Sequence, residues 1–284
     1  MTQIENVSDT ARWVAMYRAM ESDRQDAIFH DRFAGRLAGE RGTAILDSVP
    51  RGRAMAWAMI VRTAVFDEII LERVRNGGVD LVLNLAAGLD ARPWRLPLPS
   101  TLRWVDVDLP GILDYKVEMM ANDKPVCEYE AIRLDLREGP KRRALFTQLG
   151  AHARRILVVA EGLLIYLTPE QVGELARDLH EMPSFQWWLI DLANPMLLKI
   201  MERSWGKSVQ AGNAPFLFAP ANGTEFFRPF GWEELEFRST MEEARRLKRQ
   251  MRMMWLWRLL GSFSSAEKKK QVRRMSGIVL LERI

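Results

Sequence analysis

The sequence predicts an open α/β fold with a mostly parallel β-sheet. Short apolar runs recur along most of the chain, and longer helical or loop segments separate them. Small residues follow directly after the first apolar run, which is typical of a tight turn at the end of a buried strand. Buried parallel strands are continuous apolar runs, and neighbouring strands need a crossover connection between them. The alternation therefore indicates βαβ units.

The N-terminal part of the chain is predicted to be helical. Residues 8–10 offer N-cap side chains, and Trp13, Met16 and Tyr17 follow at helical spacing. Residues 53–74 form a second long helical pattern. It ends at a pair of glycines, which tolerate the left-handed backbone that closes many helices.

Six later apolar runs are predicted to be strands, because they are short and bounded by turn residues. Residues 234–239 are a candidate seventh strand, and we expect this strand and the last apolar run to form an edge of the sheet. The six runs are residues 80–85, 102–107, 129–134, 156–160, 187–192 and 277–281.

We interpret the chain as a single domain with four parts. These are an N-terminal helical cover (1–78), a core (79–192), an insertion (193–232) and a C-terminal helix with edge strands (233–284). The insertion is rich in Pro, Gly and Phe. Long connections between strands are often functional, so we expect a substrate cap there. The alternative is an excursion that packs its own small core.

Composition excludes several classes of protein. The hydrophobic share of 48% and charged share of 27% are typical of globular chains. No apolar run approaches the ~20 residues of a membrane span, and the N-terminus lacks a secretory pattern. One cysteine and three histidines, none at ligand spacing, argue against a metal site. We expect a cytoplasmic protein without metal.

Positive charge is concentrated near the C-terminus. Residues 239–284 contain 12 Lys and Arg against 4 Asp and Glu, whereas the rest of the chain has an acidic excess. A basic helix at 244–260 would suit an anionic membrane surface, but a surface helix packed through one apolar stripe is the commoner explanation. No nucleic-acid-binding motif accompanies the charge.

The first predicted strand ends in a turn that suits a ligand. Small residues at 86–88 allow close approach of the backbone, although the segment is neither GxGxxG nor a phosphate-binding loop. Asp106 and Asp108 end the next strand, 18 and 20 residues after Gly88. An acid about 20 residues after such a turn binds ribose hydroxyls in dinucleotide folds. A ribose site without a diphosphate loop suits S-adenosylmethionine, and a turn formed only for packing is the alternative.

Several segments occur in a distinctive order along the chain. They are Arg62-Thr63, Asp67, NLAAGLDARPWRL at 84–96, VDVDLPGILDYK at 105–116, LDL at 134–136 and AEGLLIYLTPEQ at 160–171. Together they resemble the leucine carboxyl methyltransferase family, and the opening and closing segments look like its bacterial branch of polyketide and other small-molecule O-methyltransferases. The resemblance implies a Rossmann-like class I methyltransferase fold, with seven strands, one of them an antiparallel edge strand. It also implies transfer of a methyl group from S-adenosylmethionine to oxygen, usually a carboxylate.

The resemblance also implies cofactor-binding residues. Arg62 would bind the methionine carboxylate, since guanidinium pairs with carboxylate through two parallel hydrogen bonds. Gly88 would let the backbone close on the methionine part. Asp108 matches the family's ribose-binding Asp, but spacing alone leaves Asp106 as an alternative. Asp135 and Leu136 would contact adenine.

Further residues are candidates for the reacting end of the site. Glu161 would hold the sulfonium or the methionine ammonium, and Tyr166 would contact the substrate or shape the cleft. The resemblance implies a further cofactor contact, because the eukaryotic enzymes of the family carry a cofactor-contacting lysine near the N-terminus. This chain has no lysine there, so Arg18 or Arg24 would have to substitute. Candidate substrate contacts are Tyr17, Arg18, Phe216 and Phe218.

The predicted function is methylation of a carboxylate on a small, aromatic or apolar acceptor. A carboxylate is ionised at neutral pH, so the reaction needs no strong base. Four alternatives stay open: a phenol or alcohol acceptor, a protein or peptide C-terminus, a lipid-like acceptor, and a degenerate cofactor-binding module. The oligomeric state is not predicted.

Overall fold

The computed structural model describes residues 7–48, 52–211, 215–251 and 265–284. Three helices precede the first strand, and seven more lie among and after the strands of this part of the chain. They are α1 (Val7–Ser22), α2 (Ala34–Ser48), α3 (Gly52–Asn76), α4 (Arg92–Arg95), α5 (Pro110–Met119), α6 (Gly139–Ala151), α7 (Pro169–His180), α8 (Pro195–Ala211), α9 (Thr240–Arg246) and α10 (Ala266–Arg273).

Seven described strands form one sheet in the order β3-β2-β1-β4-β5-β7-β6. The sheet confirms the predicted α/β class, and each predicted strand is present within a few residues. The strands are β1 (Leu81–Leu85), β2 (Arg103–Asp108), β3 (Glu128–Arg133), β4 (Ile156–Ala160), β5 (Phe185–Ala193), β6 (Trp232–Ser239) and β7 (Ser276–Arg283).

The antiparallel strand does not lie at the edge that we expected for it. β7 pairs antiparallel with both β5 and β6, so it lies one position inside the sheet. Residues 277–281 of β7 are all buried, and pairing on both sides protects this apolar run. β6 is the edge strand. Its charged residues Glu233, Glu234, Glu236 and Arg238 suit a position where further pairing must be discouraged.

The sheet is buried on both faces. In β4, for example, Ile156, Val158 and Ala160 join one apolar cluster, whereas Leu157 and Val159 join another on the opposite face. This is the alternation that a central parallel strand requires. The helices flanking the sheet thus fix the strand ends, which are the positions that build the site.

Residues 193–232, predicted to be a substrate cap, contribute some side chains to the core and others to the cavity described below. It forms α8, an extended stretch and a short 3-10 helix, Gly223–Phe230. Phe227 and Trp232 are fully buried and pack edge-on against Trp188 of β5. The core therefore takes up some of the aromatic residues of the predicted cap. The side chain of Trp205, in α8, lies outside the described residues.

The C-terminal basic segment is described only in part. The predicted helix at 244–260 lies mostly in residues 252–264, outside the described ranges. Just before them, Arg249 forms a buried ion pair with Glu21 of α1, with the Arg249 Nη2 to Glu21 Oε1 distance at 2.7 Å. Within the described ranges, none of the helices has the length and hydropathy needed to cross a bilayer.

Candidate functional site

A large cavity lies at the carboxyl ends of the parallel strands. Its volume is about 1240 Å³, and residues from α1, α3 and the loops after β1 to β5 contribute to its lining. Open α/β sheets bind ligands at this end of their strands. Small-molecule sites commonly enclose roughly 300–1,000 Å³, so the cavity has room for two ligands side by side.

The turn after β1 brings backbone directly to the cavity. Ala86 and Gly88 both line it and both have positive φ angles, of 52° and 50°. A Cβ atom at Gly88 would lie 3.1 Å from the Cβ of Ala11 on α1. Glycine at this position therefore allows the turn to adopt its conformation while α1 packs closely over it.

Asp106 and Asp108 have different environments, although sequence alternation places them on one strand face. Asp108 lines the cavity, and its two oxygens accept the backbone N–H groups of Gly88 (2.6 Å) and Leu109 (2.7 Å). A carboxylate has about four acceptor positions, so Asp108 can still accept hydroxyl groups. Burial raises the pKa of Asp108, against the lowering effect of these N–H groups.

Asp106 is fully buried and belongs to a different network. Its Oδ2 accepts from Lys116 Nζ (2.5 Å) and the Tyr129 hydroxyl (2.8 Å). Its Oδ1 accepts from Asn84 Nδ2 and Trp104 Nε1, both at 2.9 Å. The structure does not bring Asp106 to the cavity, because four protein donors surround its carboxylate inside the sheet.

Arg62 of α3 lines the cavity between two carboxylates. Its Nε donates to Glu161 Oε1 (2.8 Å), just after β4, and its Nη1 donates to Asp191 Oδ2 (3.3 Å) on β5. Burial alone would lower the pKa of Arg62, but the two carboxylates raise it above the usual value. No described residue accepts a hydrogen bond from Nη2. Arg62 is thus a fixed cation with a donor left for a ligand.

Gly162 allows Arg62 to occupy this position. Its φ is +69°, and a Cβ there would lie 3.2 Å from Arg62 Nη1. The Gly162 N–H donates to Asp191 Oδ1 at 2.6 Å, so Asp191 holds both the turn and the guanidinium. Sequence reasoning did not select Gly162 or Asp191.

Arg92 joins three parts of the site and was also missed. Its Nε, Nη1 and Nη2 lie 2.6 Å from Asp67, 2.7 Å from Asp90 and 2.8 Å from Glu161, respectively. Glu161 therefore orients the two arginines Arg62 and Arg92. One signal was available: Arg92 is in a short helix whose neighbouring positions are apolar, so an inward-facing arginine could be expected.

These ion pairs belong to a larger cluster of charged side chains, which contains one more carboxylate than guanidinium groups. Asp67 accepts two hydrogen bonds from Arg95, at 2.6 and 2.7 Å, and Asp31 accepts one from Arg18 at 2.8 Å. An excess negative charge favours binding of a ligand that carries a cation. The cluster consists of Arg18, Asp31, Arg62, Asp67, Asp90, Arg92, Arg95, Glu161 and Asp191.

Two carboxylates of this cluster, Glu161 and Asp90, have lowered pKa values. Burial would raise the pKa of Glu161, but Arg92 and Arg62 outweigh burial and lower it. Asp90 is affected in the same way, with burial opposed mainly by Arg92, and its pKa lies far below the usual value. By contrast, burial raises the pKa of the Tyr166 hydroxyl. None of these groups has a pKa near neutrality, where general bases work best.

The predicted adenine contacts lie at the β3 end of the cavity. Asp135 and Leu136 both line it. The Asp135 carboxylate accepts from the backbone and the guanidinium of Arg137, which lowers its pKa. The Leu136 carbonyl accepts from Arg142 Nη1 at 2.6 Å, which fixes the loop.

The other predicted contacts differ in their placement. Tyr17, Arg18, Tyr166, Phe216 and Phe218 all line the cavity, and the rings of Tyr166 and Phe216 lie 5.9 Å apart. The Tyr17 hydroxyl is already used, since it donates to the Gly52 carbonyl at 2.7 Å. Arg18 Nη2 donates to the Leu89 carbonyl at 2.6 Å, so Arg18 joins α1 to the β1 turn. The alternative cation Arg24 is not among the lining residues and pairs with Asp26.

Residues 11–180 match the model of the leucine carboxyl methyltransferase family. The match covers more than half of the chain, and it confirms the resemblance found in the sequence. The chain belongs to the leucine carboxyl methyltransferase family.

Curated relatives carry a more specific description. Candidate S-adenosyl-L-methionine-dependent methyltransferases of Streptomyces coelicolor and Parafrankia sp. are each 36% identical to this chain, over 188 and 183 residues. The alignments cover 61% of this chain and 64% and 58% of the relatives. The chain thus matches less than two thirds of the length of these relatives.

Solved structures share the fold at low sequence identity. A DUF574 family protein of Streptomyces avermitilis has a TM-score of 0.62 at 13% identity, and the match covers 97% of both chains. A candidate methyltransferase of Thermobifida fusca has a TM-score of 0.60 at 12% identity, covering 100% of this chain and 96% of its own. These two likenesses establish the Rossmann-like architecture.

Proposed function

We propose that this protein is an S-adenosylmethionine-dependent O-methyltransferase that methylates a carboxylate on a small-molecule acceptor. The family and its relatives support the coarser part of this proposal, which is a methyltransferase whose cofactor is S-adenosyl-L-methionine. The finer part concerns the oxygen that is methylated and the kind of acceptor. A cytoplasmic location stays a prediction.

The residues that line the cavity fit the cofactor. Arg62 has a donor left for the methionine carboxylate, and the carboxylate excess of the ionic cluster suits the ammonium and sulfonium charges. Asp108 has acceptor capacity for ribose hydroxyls, and Asp135 lies where an adenine amine would need an acceptor. We therefore assign cofactor binding to Arg62, Gly88, Asp108, Asp135 and Leu136, but not to Asp106.

Glu161 has a positioning role in this proposal. Both of its oxygens already accept from arginines, so it holds Arg62 in place and adds negative charge near the sulfonium. The cofactor supplies a methyl group on a sulfonium; the acceptor oxygen bonds to this carbon, and the C–S electron pair stays on the sulfur as a neutral thioether.

The observation that carries the choice of a carboxylate is the absence of a suitable base among the described residues that line the cavity. None of these residues is a histidine. Arginines lower the pKa of Glu161 and Asp90 against the effect of burial, and burial raises the pKa of Tyr166. A phenol or an alcohol gains from proton removal, whereas a carboxylate is already ionised and loses no proton.

A labelling experiment tests this choice. The protein is incubated with trideuteromethyl-labelled S-adenosylmethionine and matched pairs of acceptors, namely naphthoic acid with naphthol and octanoic acid with octanol. We expect label in the acids only. The product must release the label as methanol in alkali, because esters hydrolyse and ethers do not. Label in naphthol or octanol that survives alkali would overturn the carboxylate assignment. Asp108→Asn should abolish labelling, whereas Glu174→Gln, an exposed change on α7, should not.

A further inference from the structure

The cavity has two chemically different ends. One end contains Asp108, at the end of β2, and Asp135, which follows β3. The other end lies at the opposite half of the sheet and contains α8 and the segment before β7. Four strand spacings separate β2 from β7, which corresponds to about 19 Å. The cofactor-binding residues lie between β3 and β5. The part of the cavity beyond β5 is therefore additional space, and we name it the apolar arm.

The described walls of the apolar arm are aliphatic and rich in methionine. Seven of the chain's 15 methionines line the cavity. Methionine side chains are flexible and adapt their shape to a ligand, so a wall of this kind does not select a rigid outline. The described apolar residues of the arm are Met196, Leu197, Ile200, Met201, Met241, Met251, Met275 and Ile278.

The aromatic residues that line the cavity lie outside the arm. They are Trp13 and Tyr17 on α1, Trp57 on α3, Tyr166 after β4, and Phe216 and Phe218, whose segment bonds to the Ile165 carbonyl. Phe226 and Phe227 pack edge-on against each other, and Phe227 also packs against Trp188. Neither phenylalanine is among the lining residues. Flat aromatic ligands are commonly recognised by stacking on such rings. The arm therefore offers little that would prefer a planar acceptor to a flexible one.

The described walls of the arm also offer few hydrogen-bonding side chains for a peptide. Among the described residues that α8 and segments 215–218, 240–241, 251 and 275–278 contribute, only Thr240 and Ser276 have polar side chains. Each peptide unit would bring an N–H and a C=O into this space. Burying these groups without hydrogen bonds is unfavourable, so a C-terminal peptide is a poor occupant.

The apolar wall continues to the protein surface. Met196, Ile200, Leu217 and Met251 line the cavity, yet each is 39–48% exposed. Large apolar side chains that stay exposed along a cavity commonly mark a binding groove. A ligand in the arm can therefore extend outward along these residues.

We propose that the acceptor is an aliphatic carboxylic acid with a flexible, unbranched hydrocarbon chain, and that the apolar arm binds this chain. The inference rests on the proposed function, which it deepens by naming the class of acceptor. The carboxylate end faces the cofactor-binding part of the cavity, and the hydrocarbon runs past α8 toward Ile200. Adaptable methionine walls, few polar partners and the exposed rim all fit such a chain.

Binding measurements test this inference without relying on turnover. Calorimetry with protein saturated in S-adenosylhomocysteine compares unbranched acids of 6, 8, 10 and 12 carbons, each below its micelle concentration. Naphthoic acid and an apolar tripeptide with a free C-terminus serve as comparison ligands. We expect affinity to rise about three- to fourfold per added methylene group, and the twelve-carbon acid to bind tighter than either comparison ligand.

Two matched variants locate the hydrocarbon. Ile200→Glu places a charge at the exposed rim, where folding should tolerate it, and should weaken the twelve-carbon acid about tenfold but not the six-carbon acid. Val126→Glu, at a similarly exposed apolar residue before β3, should change neither. Affinity that is independent of chain length, or tighter binding of naphthoic acid or the tripeptide, would overturn the acceptor class. Failure of S-adenosylhomocysteine itself to bind would instead overturn the proposed function.

Discussion

Replacing Glu161 with glutamine removes one charge from the centre of the site while keeping the shape of the side chain. Glu161 lies 2.8 Å from both Arg62 and Arg92, and its side chain is 14% exposed. Glutamine can accept from only one of the two arginines and presents an N–H₂ group to the other. The variant should therefore loosen Arg62 and leave Arg92 with one fewer carboxylate.

The magnitude of this effect follows from the contacts. Breaking a buried ion pair by removing one partner costs about 3–5 kcal/mol, and glutamine keeps one hydrogen bond, so we expect about 3 kcal/mol. At roughly 2–4 °C per kcal/mol for a chain of this size, the melting temperature should fall by about 6–12 °C. Affinity for S-adenosylmethionine should fall about tenfold, which corresponds to about 1.4 kcal/mol.

The stability loss should depend on pH in one direction. The pKa of Glu161 is lowered in the folded protein, because Arg92 and Arg62 outweigh burial. A carboxylate of this kind stabilises the fold above its unfolded pKa of about 4.3, and this contribution is lost as pH falls through the folded pKa. The gap between wild type and Glu161→Gln should therefore be largest at neutral pH and should close below about pH 4.

Urea unfolding at pH 7, 4 and 3, together with calorimetric titration of S-adenosylmethionine at pH 7, provides the test. Glu174→Gln is the matched control, because Glu174 is exposed on α7. Its stability and affinity should equal those of the wild type. If Glu161→Gln unfolds like the wild type at pH 7 and binds the cofactor equally well, Glu161 does not position Arg62 and the reasoning is wrong.

Three more predictions follow from the same contacts. Asp108→Asn should weaken cofactor binding at least tenfold with little change in melting temperature. Asp106→Asn should instead cost about 3 kcal/mol of stability, because Lys116 would stay buried without its counter-charge. Calorimetry measures the first effect and thermal unfolding the second. Gly162→Ala should weaken cofactor binding because its Cβ meets Arg62, whereas Gly223→Ala, with a similar φ and open space, should show only backbone strain of about 1 kcal/mol. The rate of carboxyl methylation should be constant from pH 6 to 9, and a sigmoidal rise in a pH–rate profile would contradict the carboxylate assignment.

Much of the fold could be predicted because local sequence patterns indicate its strands and helices. Runs such as residues 156–160 are apolar at every position, and only a strand buried on both faces requires this. The position of β7 was not predictable in the same way. An apolar C-terminal strand signals burial, but its insertion between β5 and β6 depends on pairing between segments distant in sequence.

The placement of some candidate residues was predictable from motifs. Arg62 of α3 and Asp108 at the end of β2 both line the cavity, as the motifs suggested. The choice between Asp106 and Asp108 needed the structure, because only the tertiary fold places four donors around Asp106. Two of the three carboxylates on Arg92, those of Asp67 and Glu161, come from segments distant in sequence, and this convergence is not visible in the sequence.

The cap shows that composition alone does not assign aromatic residues to a site or to a core. Residues 216–232 are rich in phenylalanine, and this enrichment suggested an aromatic substrate. In the structure Phe227 is fully buried against Trp188, while Phe216 and Phe218 line the cavity. Aromatic residues serve cores and ligand sites equally well, so their number in a segment does not distinguish the two.

The most direct test of the central claim is calorimetric titration of S-adenosylmethionine into the wild-type protein and into Arg62→Ala and Asp108→Ala. The claim is that Arg62 and Asp108 hold the two ends of this cofactor in one cavity. We predict micromolar binding to the wild type and loss of binding in both variants, with the fold of each variant checked by circular dichroism. Binding that persists in both folded variants, or no binding to the folded wild type, would contradict the claim.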